Sequence, residues 1–385
     1  MTHPSATDAA GPLAGVRVID LTNNLSGPYG TMVLAQQGAD VIKIERPPHG
    51  DILRGVGSQR GGVSAYFVNT NWGKRSVALD LSDDEGRATL HRMIATADVL
   101  VENFRPGTMA KMGFAPDDVL ARYPRVVYAS VRGFPSGSPL ADLPAYDHVI
   151  QAMTGFASTQ ADLRDATPVL VQQAVVDKAS GLTAAQAITA ALFERTRTNR
   201  GQYLEVSMLK VGLAFLWPDA ATNASFVGDV DKLPPQSRTF RLTKTADGYL
   251  ALIAVANDQF AGLLRATGLG DRVDDPKLSS PGQRGRHGAE VMRQVAAFLA
   301  QKTTAEAVEL LTVHGVPCGP VQDLDDVPGY IEGIAPGVML REQHPQLGDM
   351  VHPAPAVEFD EVTAIRPSPA FGEHTEEVMA QVEGR

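Results

Sequence analysis

The first 135 residues alternate between two hydrophobic periods, and this alternation constrains the fold more than any other feature of the chain. Val16–Leu21 is a short apolar run, and Asn23-Asn24-Leu25-Ser26-Gly27 reads as a loop. Pro28 then stands where a helix can begin, because the first helical position has no use for the N–H that proline lacks. The helix stops at Gly38, and Val41–Glu45 is the next strand. Val77–Leu81 follows, then Ser82-Asp83-Asp84-Glu85 with capping-box spacing before a helix whose apolar positions are Leu90, Met93 and Ile94. Val99–Glu102 and Val126–Val131 are further strands. Strands alternating with helices predict an α/β fold with a parallel sheet covered on both faces, and ligands held by the loops after the strand ends.

Further along, Leu182–Arg195 predicts an Ala-rich helix, Tyr203–Val206 a strand, and Asp219–Ser237 an irregular segment. Tyr249–Val255 with the helices Asp258–Thr267, Ala289–Gln301 and Ala305–His314 predicts a smaller α+β domain. Pro328–Phe371 is rich in proline and glycine and reads as a return path onto the first domain. The expected organisation is therefore a loose tail at 1–12, a large domain at 13–220, a small domain at 221–327 and a return segment at 328–385. A chain of 385 residues suits two domains, and 44% hydrophobic with 20% charged residues excludes global disorder.

A formal charge of −10 argues against a nucleic-acid partner. The lone Cys318 rules out an intramolecular disulfide framework and fits a reducing compartment. The longest low-polarity stretches, near Gly181–Phe193 and Tyr249–Ala256, fall short of a membrane span, and Met1–Pro12 lacks the marks of a signal peptide. The expectation is a soluble cytosolic protein.

The common motif searches fail. Thr22–Gly27 lacks the G-x-G-x-x-G fingerprint, Gly73-Lys74-Arg75-Ser76 lacks the upstream glycine of a phosphate loop, and no G-x-S-x-G elbow exists. Nine scattered histidines show no ligand spacing, so no metal is expected. What stands out is a set of polar and basic residues at strand ends: Arg46, Asn71, Lys74, Asn103, Phe104, Arg105 and Lys111. Converging on one rim, they would hold an anionic ligand with an aromatic ring; the plainer alternative is solvated surface. Asp177, in Val175-Val176-Asp177-Lys178-Ala179-Ser180-Gly181, reads either as a helix N-cap or as a carboxylate nucleophile kept ionised by a helix N-terminus. Trp72 and Trp217 read either as pocket lining or as core residues, core packing being the plainer reading of both.

Taken together, several strings resemble the class III CoA-transferase (CaiB/BaiF-type) family. They are Pro12–Asp20, Gly38–Glu45, Lys74–Leu81, Val101–Gly107, Thr198–Gln202, Gly315–Pro320 and Gly372–Thr375, in family order from about residue 12 to 375. The resemblance implies a Rossmann-like large domain built from both chain ends, a smaller central domain and an interlocked homodimer. It implies CoA and acyl-CoA as substrates, with no permanently bound cofactor, and a small carboxylic acid as the other substrate. Asp177 falls where the family places its nucleophile, and Tyr146-Asp147 where transferases carry a tyrosine followed by an acidic residue. Arg46, Asn71, Lys74, Asn103, Phe104, Arg105 and Lys111, with Leu25 and Ser26 of the first loop, match positions that the resemblance assigns to CoA.

Departures matter too. Lys111 stands where formyl-CoA transferase, a family member, has arginine; Leu25 replaces a glutamine and Pro144 a lysine, and the small domain lacks a glycine-run lid. These departures weigh against oxalate and formyl-CoA but leave CoA binding intact. Racemases of the family need a histidine where Tyr146 stands, because 1,1-proton transfer uses two acid/base groups. His148, two positions on, reads as a surface or packing residue. Transferase is the leading expectation; the alternatives are an acyl-CoA racemase, a CoA-binding protein without turnover and, least favoured, a nicotinamide dehydrogenase.

Overall fold

The computed structural model describes residues 10–161, 166–229, 240–360 and 365–384. Most of the expected 1–12 tail, and the later part of the expected irregular segment 219–237, lie outside the described residues. The chain forms two compact units, one of Met1–Leu216 with Gly337–Arg385 and the other of Trp217–Pro336.

The first unit is built on six strands: β1 (Arg17–Asp20), β2 (Asp40–Glu45), β3 (Arg75–Ala78), β4 (Val99–Glu102), β5 (Val127–Arg132) and β6 (Tyr203–Ser207). Every pairing is parallel and the spatial order is β3-β2-β1-β4-β5-β6, a doubly wound sheet with β1 at its centre. Ile19 sits opposite Ile42 on one side and Leu100 on the other. Successive residues point to opposite faces, and both faces are dry. Ile19, Ile42, Leu100 and Tyr128 join a core that includes Leu90, Met93 and Ile94 of α3 (Asp84–Ala95) and Val378 of the C-terminal helix Thr375–Glu383. Val18, Val41, Val99 and Val127 pack on the other side. There they meet Leu34 of α1 (Ser26–Gln36) and Ala185, Ile188, Ala191 and Leu192 of α5 (Val175–Thr198).

Three local expectations shift. Helix α1 begins at Ser26, placing Pro28 third, still within the turn whose N–H groups have no partner. The cap of α3 is Asp83, which accepts from Gly86 N at 2.7 Å, so Ser82 and Glu85 form no capping box. The segment expected to lack periodicity holds a helix at Val327–Ile334 and a hairpin pairing Met339–His344 with Gly348–Pro353. The first strand of the hairpin is irregular in exposure. The second alternates but places Gly348 and His352 on its half-buried side and Val351 on its exposed side, so neither writes an apolar alternation into the chain.

The second unit carries an antiparallel sheet of β7 (Leu242–Lys244), β8 (Tyr249–Leu252) and β9 (Cys318–Pro320), with β8 central. Helices Asn257–Ala266, Ala289–Leu299 and Thr304–Val313 contribute Leu263, Val295 and Leu311 to its own core with Leu250. Among the described residues, no helix is long and apolar enough to cross a membrane.

Candidate active site

The loop after β1 is held from below by buried charge. The Asp20 carboxylate accepts from Thr22 N (2.9 Å), Thr22 Oγ1 (2.5 Å), Thr31 Oγ1 (2.7 Å) and Lys74 Nζ (3.0 Å). Lys43 donates to the Thr22 carbonyl at 2.7 Å, and its ammonium lies 2.9 Å from Asp51. Asn103, just past β4, brackets the backbone of one residue, accepting from Asn23 N at 2.9 Å and donating to Asn23 O at 2.7 Å. Asn24 adopts φ 62°, a left-handed conformation that asparagine tolerates better than most side chains. The loop therefore needs none of the glycines of the dinucleotide fingerprint, and it delivers Ser26 as the first residue of α1.

Helix α1 touches α5 backbone to backbone. A Cβ on Gly30 would stand 2.6 Å from the Gly181 carbonyl oxygen, and one on Gly181 would stand 2.6 Å from the Ser26 carbonyl oxygen. No side chain fits, so both positions must be glycine for the helices to come this close. That approach brings the Ser26 hydroxyl beside the Asp177 carboxylate, whose charged form it favours.

Asp177 is the third residue of α5, not its cap. The cap position is Ala174, which offers no side-chain acceptor. The acceptor comes from elsewhere: Asp147, the buried first residue of α4 (Asp147–Thr154), takes the N–H groups of Val176 at 2.7 Å and Asp177 at 2.9 Å through one oxygen. Burial, then the negative charge of Asp147, pushes the Asp177 carboxyl up to about 7 against the lowering effect of Ser26. The expectation of a carboxylate fully ionised at neutral pH is thereby revised. Tyr66, in the short helix α2 (Ala65–Val68), belongs to the same environment. Partial burial and the charges of Asp177 and Asp147 raise its phenol. It was missed because it sits in a short turn with no motif around it. Tyr146 is exposed, as is His148, while Leu25 is buried at the cap position of α1.

A cavity of about 420 Å³ opens beyond the carboxyl ends of the central strands, where the strand order reverses about β1 and β4. Asn23, Arg46, Asp80, Arg87 and Phe104 are among its walls. Arg46 is largely exposed and lies 3.7 Å from Asp80. The structure thus brings Arg46 and Phe104 together, with Asn103 behind them fixing the loop. Arg105 and Lys111 are exposed and line no part of this cavity. Asn71 and Lys74 do not join the rim at all. Both are fully buried, and the Lys74 ammonium is taken up by Asp20, the Pro28 carbonyl (2.9 Å) and Asn71 Oδ1 (2.8 Å). A cation with three acceptors inside the protein has no donor left for a phosphate. A wider cavity of about 670 Å³ runs along edge strand β6, but neither Asp177 nor any rim residue lines it.

Comparison with known proteins places these features. The model of CoA-transferase family III matches residues 13–375. The mouse succinyl-CoA:glutarate CoA-transferase is 32% identical over 384 residues, covering 98% of this chain and 88% of the relative. A formyl-CoA:oxalate CoA-transferase of Rhodopseudomonas palustris (strain BisA53) is 31% identical over 412 residues, covering 97% and 93%. The crystal structure of a CaiB/BaiF family protein from Brucella suis superposes with a TM-score of 0.80 at 27% identity, covering 97% of this chain and 99% of that one.

Proposed function

The chain belongs to CoA-transferase family III, and on that premise we propose that it moves CoA between carboxylic acids through covalent intermediates on Asp177. The family membership makes it a transferase of sulfur-containing groups that uses CoA thioesters. The route and the residues are our reading. Asp177 attacks the thioester carbonyl, the C–S bond breaks, and a mixed anhydride forms with release of CoA thiolate. The thiolate attacks the aspartyl carbonyl, expelling the donor acid and leaving an aspartyl-CoA thioester. The acceptor carboxylate then displaces the thiolate, which finally takes the acceptor's acyl carbon and frees Asp177. Each step exchanges one leaving group for one nucleophile, so no redox partner is required.

The observation that carries this reading is a carboxylate in the first turn of α5 whose own N–H is taken by Asp147, with no cation acting on it and burial pushing its carboxyl up to about 7. Such a group is a stronger nucleophile than an ordinary aspartate yet about half ionised near neutral pH. In this reading the CoA nucleotide occupies the cavity at Arg46 and Phe104. The loop after β1 is the shared wall, presenting Asn23 to the cavity and Ser26 to Asp177. Tyr146 and Tyr66 flank the acyl group. The acids are short dicarboxylates, by analogy with the succinyl-CoA and glutarate in the first relative's name, the departures at Leu25, Lys111 and Pro144 weighing against oxalate. We further take residues 13–220 with 328–385 as the CoA-binding domain, 221–327 as the small domain, and an interlocked cytoplasmic homodimer as the working form.

Peptide mass spectrometry after incubation with succinyl-CoA, glutaryl-CoA or oxalyl-CoA, followed by hydroxylamine, tests the reading. A hydroxamate mapping to Asp177 is expected. Asp177→Ala should lose at least about 10³-fold in turnover while still binding CoA. Turnover retained in that variant removes the mechanism.

A further inference from the structure

Helix α5 lacks a cap of its own, and α4 supplies one across space. Asp147 meets two of the unpaired N–H groups of the first turn, and Gln151, one turn further along α4, grips the segment leading into it. The Gln151 amide nitrogen donates to the Val171 carbonyl at 3.2 Å and to the Gln173 carbonyl at 2.9 Å, and its oxygen accepts from Val171 N at 2.9 Å. The same amide nitrogen also donates to Asp147, so the two side chains act as one buried clamp.

We infer that Asp147 is a positioning residue for Asp177, standing in for the absent helix cap, fixing the first turn of α5 with Gln151, and turning a negative charge toward the nucleophile. The inference deepens the reading of Asp177 as nucleophile and rests on it. Left to itself, the positive end of α5 would stabilise the Asp177 carboxylate and blunt its reactivity. Asp147 uses up those N–H groups and adds a like charge, so the helix end that would acidify Asp177 no longer does so. The other groups facing Asp177 offset this only in part, through the Ser26 hydroxyl, and bring no cation to it. From α1 comes the Ser26 hydroxyl, and from α2 the Tyr66 phenol. On its own helix, Lys178 turns its ammonium to Gln173 Oε1 at 2.9 Å. The acidic residue after Tyr146 therefore acts through Asp177 and the backbone, not on substrate.

Titration of Asp177 separates this role from a structural one. Protein labelled with ¹³C-carboxyl aspartate would be followed by NMR, with the Asp177 signal identified by its loss in Asp177→Asn. Asp147→Asn keeps an acceptor oxygen but removes the charge, and should lower the Asp177 midpoint by about one pH unit or more. The acid limb of kcat/KM should move with it. Asp147→Glu keeps the charge and should hold the midpoint near its original value. An unmoved midpoint in the Asn variant, or an equal fall in the Glu variant, overturns the inference. Either variant suffices if the other loses its cooperative melt. The titration uses no substrate, so failure of CoA transfer with every thioester would strike the nucleophile reading and leave this result legible by itself.

Discussion

Asp20 and Asp177 are both largely withdrawn from water, and each has a hydroxyl of α1 beside it, Thr31 for Asp20 and Ser26 for Asp177. Their surroundings are opposite. Asp20 is fully buried; burial alone would raise its carboxyl, but Lys74, Lys43 and the hydroxyls of Thr22 and Thr31 hold it far below the usual range. Asp177 receives one hydroxyl and a like charge, and is raised. Each lysine beside Asp20 stabilises structure, because a buried ion with complete partners is inert. A buried carboxylate denied a cation retains its appetite for an electrophile. Basic residues near strand ends are thus no guide to the binding site until their burial is known.

That contrast can be broken in three places. The largest effect is expected at Lys74→Met, which strands the Asp20 carboxylate and should cost about 3–5 kcal/mol, read as a fall in Tm. Were Lys74 a nucleotide contact, CoA affinity would drop while Tm held. An opposite effect, at most as large, is expected at Asp177→Asn. The folded carboxyl titrates near 7 against 3.8 for the ordinary group, so the fold favours the neutral form. That contribution is complete below about pH 3.8 and disappears as pH rises to about 7. The variant should match the parent in stability at pH 4 and exceed it at pH 8 by up to about 4 kcal/mol, the full linkage value of a shift of about three pH units. A variant no more stable at pH 8 would mean that Asp177 is better solvated than its surroundings indicate. The smallest effect is expected at Arg46→Ala, which should weaken CoA by about tenfold in calorimetry with Tm almost unchanged.

The strands facing two cores were plain in the chain because parallel strands buried on both sides are apolar runs; Val99–Glu102 is expected and found over the same residues. The start of α5 was not. Val175 and Val176 are poor helix formers, and Ser180-Gly181 looks like a break. What sustains the helix there is Asp147, which lies in a different part of the chain, and a glycine needed for contact rather than for a turn. The aspartate stood out by position, but its surroundings did not, because they arise from α1, α2 and α4. Lys74 misled for the same reason: nothing in a string of residues tells whether a lysine before a strand points outward or into the ring of Asp20, Pro28 and Asn71.

The glycine contact between α1 and α5 also governs when the molecule acquires its chemistry. Ser26 and Asp177 lie about 150 positions apart, so their meeting closes a long loop and belongs among the slow, non-local events of folding. A nascent chain that has paired β1, β2 and β3 already holds Arg46, Asp80 and Asn23 close together, yet it has no reactive carboxylate. On the mechanism proposed above, thioesters encountered by a half-made protein are met by a surface and not by the nucleophile, and acylation waits for α5 to dock.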